Sequence, residues 1–581
     1  WSGLVLRFGG RHCGALGCIF SALLCLPVQM SKIGPVIYHT TEKEMVLKEN
    51  LTRNPLQRGF QVVRAKSADL VILDGRVLTM NPSRPRAEAV AVKAGRIVKV
   101  GSNLDVKLLI GKNTQVIMLK GKGVLPGLID THIHVGDFAR FLLWVDLTQA
   151  HSIKQVQNML KERLQNTGKG KWVVGRGWDD KRFSDERLPT RFDLDAVSPN
   201  NPVIFYYACG PVCVVNSKAL EFAGVSKETR SPLGGSIDKD SKTDEPTGIL
   251  RDSATDLVWS RVPESSAEEL VEAAALACER ITAAGITSIH WLATSLADFA
   301  ILRSLGKAGR LPLRVYMVVP FSFLDSSSSL SGLDKDGARF GGVEVSADGY
   351  LAMRTATLYE PYKSIPPVNA SLLCTRAGLQ ASVGKIVNAG FQTVIHAMGD
   401  KAVDAALNAF ETVSQGGRNR IDPAALLNEK LIHRLKEEQV VVSVQPLVAA
   451  SEFQVYSAVQ ALGEERARWL YPLKTLFREG VCVCGGSDCP MEPLNPMLGI
   501  QSVVTRQFFP EERVSVEEAL RMYTVNAAYA SGEENLKGSI EEGKLADFTI
   551  LSRDPTEVPL TEIQDIMVAL TIVGGKVAFS R

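Results

Sequence analysis

Histidine is scarce, with 8 in 581 residues, so the position of each one carries weight. Charge is nearly balanced: 66 Lys and Arg face 63 Asp and Glu, a formal net charge of +3. So small an excess argues against a nucleic-acid or anionic-membrane partner. The chain has no basic block interleaved with aromatics, no phosphate-cradling P-loop and no G-x-S-x-G nucleophile elbow. Nothing therefore supports P-loop nucleotide binding or a covalent serine intermediate. None of the 10 Cys sits in paired CxxC motifs at zinc-ribbon spacing. Cys482 and Cys484, in "VCVCGGSDC" (481–489), lie on an apolar strand and read as buried free thiols. Unpatterned Cys fits a reducing compartment slightly better than an oxidising one.

Hydrophobic residues make up 45% and charged residues 22%, as in ordinary globular proteins. The length allows a large core and more than one domain. Residues 13–29, "CGALGCIFSALLCLPVQ", are apolar, follow Arg7 and Arg11, and resemble a signal-peptide core or short leader. Met30 follows, so 1–29 can also be read as upstream sequence outside the mature protein. The expected location is cytoplasmic unless 13–29 works as a leader, in which case it is the secretory pathway or an organelle.

Two kinds of pattern divide the rest. "ADLVILDGRVLTM" (68–80) and "AEAVAVKAGRIVKVG" (87–101) read as short strands, and "ADFTILSRDP" (546–555) and "VALTIVGGKVAF" (568–579) echo them. Neither end has enough strands to bury a face alone, so the two ends are expected to build one small β-sandwich. Between them, apolar strands alternate with longer helical stretches, the signature of parallel βα units. Eight candidates appear, at 124–130, 286–290, 313–319, 343–348, 392–397, 420–424, 440–446 and 481–488. They predict an α/β fold, a (β/α)8 TIM-like barrel. About 155 residues separate the first two strands, too many for one loop, so an inserted lid subdomain is expected there. The expected order is a leader or disordered segment at 1–60, sandwich at 61–123, barrel at 124–535 with an insertion at about 140–280, and sandwich again at 536–581.

"PGLIDTHIHV" (126–135) places His132 and His134 two apart on a strand, on one face, where two imidazoles can meet a metal ion. A chance pair at a strand end gives the same letters. In such barrels sites form at the C-terminal ends of strands. His132 and His134 end the first strand, Glu344 and Asp348 lie on the fourth, His396 ends the fifth and Asp488 ends the eighth. Singly, His396 reads as a satisfied core histidine and Asp488 as a helix N-cap. Together they read as a converging set.

At these residues the chain resembles the amidohydrolase superfamily, in its YtcJ-like "amidohydrolase 3" branch, over roughly 65–581. "GLIDTHIHV", "PTGILRDSA" (246–254), "ADGYLAMRTATLYEPY" (347–362), "VIHAMGDKAVDAAL" (394–407), "GGSDCPMEPLNP" (485–496) and "KGSIEEGKLADFTIL" (537–551) carry the resemblance. It implies hydrolysis of C–N bonds other than peptide bonds. Two departures stand out. Glu344 occupies the position of a metal-bridging Lys on strand four, and "RIDPA" (420–424) puts Asp422 and Pro423 where the branch has Glu and a ligand His. Pro423 cannot ligate. Pro211 similarly stands in place of a branch His in the insertion.

What the resemblance leaves is His132, His134, His396 and Asp488, with Glu344 as a further oxygen donor. That set implies a divalent metal, zinc foremost, as one ion rather than two. Asp488 is then the general base for a metal-activated water attacking a carbonyl. Trp178 and Asp179 from the lid, Trp291 after strand two and Arg354 after strand four are candidate substrate contacts. Against them, Trp is more often core, and Asp179 can cap a turn. His290 reads as structural and His433 as solvated surface. The expected partner is a small amide-like substrate, with no nucleic acid, and a homodimer is left open. Two alternatives remain: an impaired amidohydrolase-like protein with a binding or regulatory role, and a mononuclear deaminase.

Overall fold

A computed structural model describes residues 37–38, 67–208, 212–330, 337–364, 367–413 and 418–581. The leader reading at 13–29 and the departure at Pro211 lie outside the described residues. The centre is an eight-stranded parallel sheet. In chain order its strands are Leu128–Ile133, Ile286–Leu292, Arg314–Pro320, Ala338–Ser346, Gln392–Ala397, Arg420–Pro423, Val441–Val444 and Val483–Gly485, each beside the next. The Asp488 N–H donates to the His132 carbonyl at 2.8 Å, bringing the end of the eighth strand back to the first. The fold is the expected TIM-like barrel, and all eight expected strands are present.

One boundary needs correction. The run 124–130 is not one barrel strand. Gly123–Pro126 belongs to the sandwich, pairing antiparallel with Phe548–Leu551, and the barrel strand begins at Leu128. Pro126 has no N–H to extend a ladder. Gly127 makes the change of direction where a Cβ would lie 2.1 Å from Thr287 Oγ1.

The sandwich joins both ends of the chain. One sheet runs, in spatial order, Ile37–Tyr38, Gln115–Met118, Leu70–Leu73, Ala89–Lys93, Arg96–Gly101. The other runs Lys576–Ser580, Val568–Val573, Phe548–Leu551, Gly123–Pro126, Arg76–Leu78, Arg86–Ala87. Leu70, Ile72, Val90, Val92 and Ile97 pack with Phe548, Ile550 and Ile572 in the core between them. Neither end could bury those side chains without the other.

The insertion has its own six-stranded sheet, ordered Val145–Asp146, Val173–Trp178, Val203–Tyr207, Val212–Val215, Pro246–Asp252, Gly235–Lys239. The chain returns to the barrel through the helix Ala267–Ala283. Ser266 and Glu269 start that helix with a capping box. It packs on the helix Val135–Leu142, which follows His134 directly. Among the described residues no helix is long and apolar enough to cross a membrane.

Candidate metal centre

His132 and His134 leave the first strand with their rings 5.2 Å apart, edge to face. Each has its Nδ1 held by an acceptor. His132 Nδ1 lies 3.0 Å from Asp422 Oδ2, and His134 Nδ1 lies 3.2 Å from the Leu292 carbonyl. Those acceptors hold the proton of the neutral ring on Nδ1 and so assign Nε2 as the ligating atom of each. Both Nε2 atoms face one oxygen: Asp488 Oδ1 is 3.5 Å from His132 Nε2 and 3.3 Å from His134 Nε2. The three ligand atoms lie within 4.8 Å of one another. Zinc bonds of about 2.0–2.2 Å at a tetrahedral angle separate neighbouring ligand atoms by about 3.3–3.6 Å. The donor set therefore fits such an ion in kind, and both nitrogen–oxygen distances match its spacing.

Close backbone approach brings Asp488 there. Gly486 crosses His132 so tightly that a Cβ would sit 2.4 Å from the His132 nitrogen. Gly486→Ala is expected to lower the Tm and weaken zinc binding together, which thermal denaturation and a zinc titration of one preparation would show.

Behind His132 lies a buried network that sequence reasoning missed. Asp422 and Arg420 are both fully buried. Arg420 Nε donates to Asp422 Oδ1 at 2.6 Å and Nη2 donates to Asp422 Oδ2. The same guanidinium donates to the Thr131 carbonyl at 2.6 Å and to His290 Nδ1 at 2.9 Å. Burial pushes the Asp422 carboxyl up, but Arg420 and His132 outweigh it and hold it below the usual carboxylate range. Asp422 thus stays ionised and fixes the tautomer of His132. His290 is the structural histidine expected, held neutral by burial and by Arg420.

Burial pulls the His134 imidazole down, yet Asp488, Glu344 and Asp137 overcome it and raise it to about 9. In the metal-free fold this raised value stabilises fully below the unfolded imidazole pKa near 6.5. That stabilisation is lost as pH rises through about 9. Ligation requires neutral imidazole. Zinc binding at pH 7.5 is therefore expected to release close to one proton from His134, and affinity should rise about tenfold per pH unit up to about pH 9. Calorimetry in buffers of different ionisation enthalpy measures the proton count.

The other expected residues are placed as follows. His396 is half-buried, with Nε2 3.4 Å from the Gly349 carbonyl and its ring 5.2 Å from Tyr350. It is not in the converging group, nor is Glu344, which reaches His134 only through its charge. Asp348 accepts from the backbone of Thr357, Met398 and Gly399 at 2.8–2.9 Å, tying two loops together. Trp178 and Trp291, read as substrate contacts, are fully buried packing residues. Trp178 donates to the Phe205 carbonyl, and Trp291 faces the core between strands and helices. Asp179 caps a turn through the Lys181 N–H and accepts from Tyr207 Oη at 2.9 Å. Arg354 stands exposed at φ +57° in its loop, and Tyr350 makes the contact with His396 instead. A cleft of about 600 Å³, lined by Gln439, Val481, Arg521 and Asn526, opens before the seventh and eighth strands, away from this centre.

A parallel barrel bearing an HxH pair and an opposing aspartate at its strand ends is the frame of a metal-dependent amidohydrolase. The chain belongs to the amidohydrolase family, whose model matches residues 115–579. It is 33% identical over 524 residues to the amidohydrolase-type protein YtcJ of Bacillus subtilis (strain 168), covering 87% of this chain and 98% of that one. It is 27% identical over 539 residues to an N-substituted formamide deformylase of Arthrobacter pascens, covering 88% and 98%. Among solved structures it is similar to an uncharacterized metal-dependent hydrolase from Pyrococcus furiosus. That similarity has a TM-score of 0.70 at 30% identity, over 84% of this chain and 100% of that one.

Proposed function

We propose that this chain is a zinc-dependent hydrolase of small non-peptide amides, with N-formyl and N-acyl amines as its substrate class. The convergence of His132 Nε2, His134 Nε2 and Asp488 Oδ1 carries the reading. These three residues would hold one ion. When bound, a divalent cation supplies acidification of a water and polarisation of the scissile carbonyl. Asp488 takes the proton from the attacking water and returns it to the leaving nitrogen. Asp422 and the Leu292 carbonyl keep the two rings aimed, so the donors need no reorganisation. Similarity to a formamide deformylase supports the substrate class. Pro423, where the resemblance implies an imidazole, supports one ion over two.

Elemental analysis of the zinc-reconstituted protein should give close to one equivalent, lost in His134→Ala. Turnover is then sought across N-formyl and N-acyl amines. Two equivalents would overturn the single-ion reading, and no bound metal would overturn the hydrolase. Pro423 also favours a second reading, a barrel that binds ligand without turning it over. Stoichiometric zinc with no amide hydrolysed would establish that one.

A further inference from the structure

Arg176 is a half-buried arginine of the insertion, on the strand Val173–Trp178. Its guanidinium lies 4.1 Å from the centre of the Phe141 ring and makes no ion pair or side-chain hydrogen bond among the described residues; the Asp146 carboxylate acts on it through charge alone. The insertion's other half-buried arginines do: Arg191 is 3.5 Å from Glu245, and Arg251 is 2.8 Å from Asp238. Asp146 is opposite Arg176 in register, but its Oδ1 accepts from the Thr148 N–H instead. Stacking on a ring leaves the edge of the guanidinium, with its N–H fork, open to a carboxylate.

The surroundings are aromatic. Tyr206 is paired with Arg176 across the sheet and stacks on Trp144 at 6.3 Å. Trp259, 39% exposed, stands edge-on to both, at 5.8 and 5.7 Å. Trp144 in turn lies 4.8 Å from Phe141. Phe141 is on the helix Val135–Leu142, seven residues after His134, which puts it about 10 Å along the axis from that ligand. Burial makes the guanidinium less comfortable as a bare cation, lowering its affinity for its proton.

We propose that Arg176, with the wall formed by Phe141, Trp144, Tyr206 and Trp259, is a substrate-specificity subsite. It takes N-acyl compounds that carry a carboxylate several bonds from the scissile amide. The word substrate rests on the hydrolase reading above; the binding does not.

The test separates the two. Metal-free full-length protein is titrated with N-benzoyl-6-aminohexanoate and with uncharged N-benzoylhexylamine, followed by tryptophan fluorescence and calorimetry. The wild type should bind the carboxylate at least tenfold more tightly. Arg176→Gln should abolish that preference, and Arg176→Lys should restore it in part. The neutral probe should bind all three alike. Should Arg176→Gln misfold by circular dichroism, the lysine variant carries the comparison through its partial loss. Equal affinities in the wild type, an unchanged preference in the variants, or binding of neither probe would overturn the subsite. With zinc restored, turnover of amides without a carboxylate preference sinks the subsite and leaves the hydrolase. Preferential binding without turnover of any amide does the reverse.

Discussion

Asp488→Asn should lower kcat for a hydrolysed N-acyl substrate by about 10²–10⁴ while leaving the Tm within a few degrees of wild type. The backbone gives the reason for expecting an intact fold. Asp488 sits at φ +59°, and asparagine is among the few residues that tolerate the left-handed region. Its N–H bond to His132 and its carbonyl bond from Met491 are main-chain and survive the change. What goes is the charge and the ability to accept a proton. An amide oxygen can still face the two Nε2 atoms, so zinc should be retained at reduced affinity. Measured kcat, zinc content and Tm separate these effects. Unchanged kcat with zinc bound would remove Asp488 from the proton transfer. Loss of zinc and turnover together would mean that ligation is its main part.

The eight barrel strands were legible because strands buried on both faces read as near-continuous apolar runs. The sandwich was legible because its two halves echo one another in sequence. His132, His134 and Asp488 were legible because strand ends are where such barrels place polar groups. The break at Pro126–Gly127 was hidden inside an apolar run that served two sheets in turn. Trp178 and Trp291 are fully buried, and periodicity does not say which of two apolar environments a strand-end Trp meets. His396 lies near the end of the fifth strand, as expected, and its Nε2 faces the Gly349 carbonyl, a contact that only the folded loop supplies. Asp422 was visible only as a departure from a family pattern. Its partner His132 is 290 residues away, and nothing in the sequence around Arg420 marks it as the second partner.

That buried network makes the largest stability prediction. Arg420→Met should destabilise the protein by about 3–5 kcal/mol, the cost of stranding a carboxylate whose partner is removed. The result would be read as a large fall in the denaturation midpoint. Asp422 has nowhere to turn: both of its oxygens bond to Arg420, one also faces His132, and no part of it reaches solvent. The double change Arg420→Met with Asp422→Leu removes both charges and should recover most of that loss. It should not recover zinc affinity. Without Asp422, nothing fixes the His132 proton on Nδ1, and loss of such an outer partner weakens metal binding by about 10–100-fold. A double variant that folds stably and binds zinc poorly separates holding the barrel together from aiming the ligand. If it binds zinc as the wild type does, Asp422 is a counter-ion for Arg420 alone, and His132 is aimed by its strand.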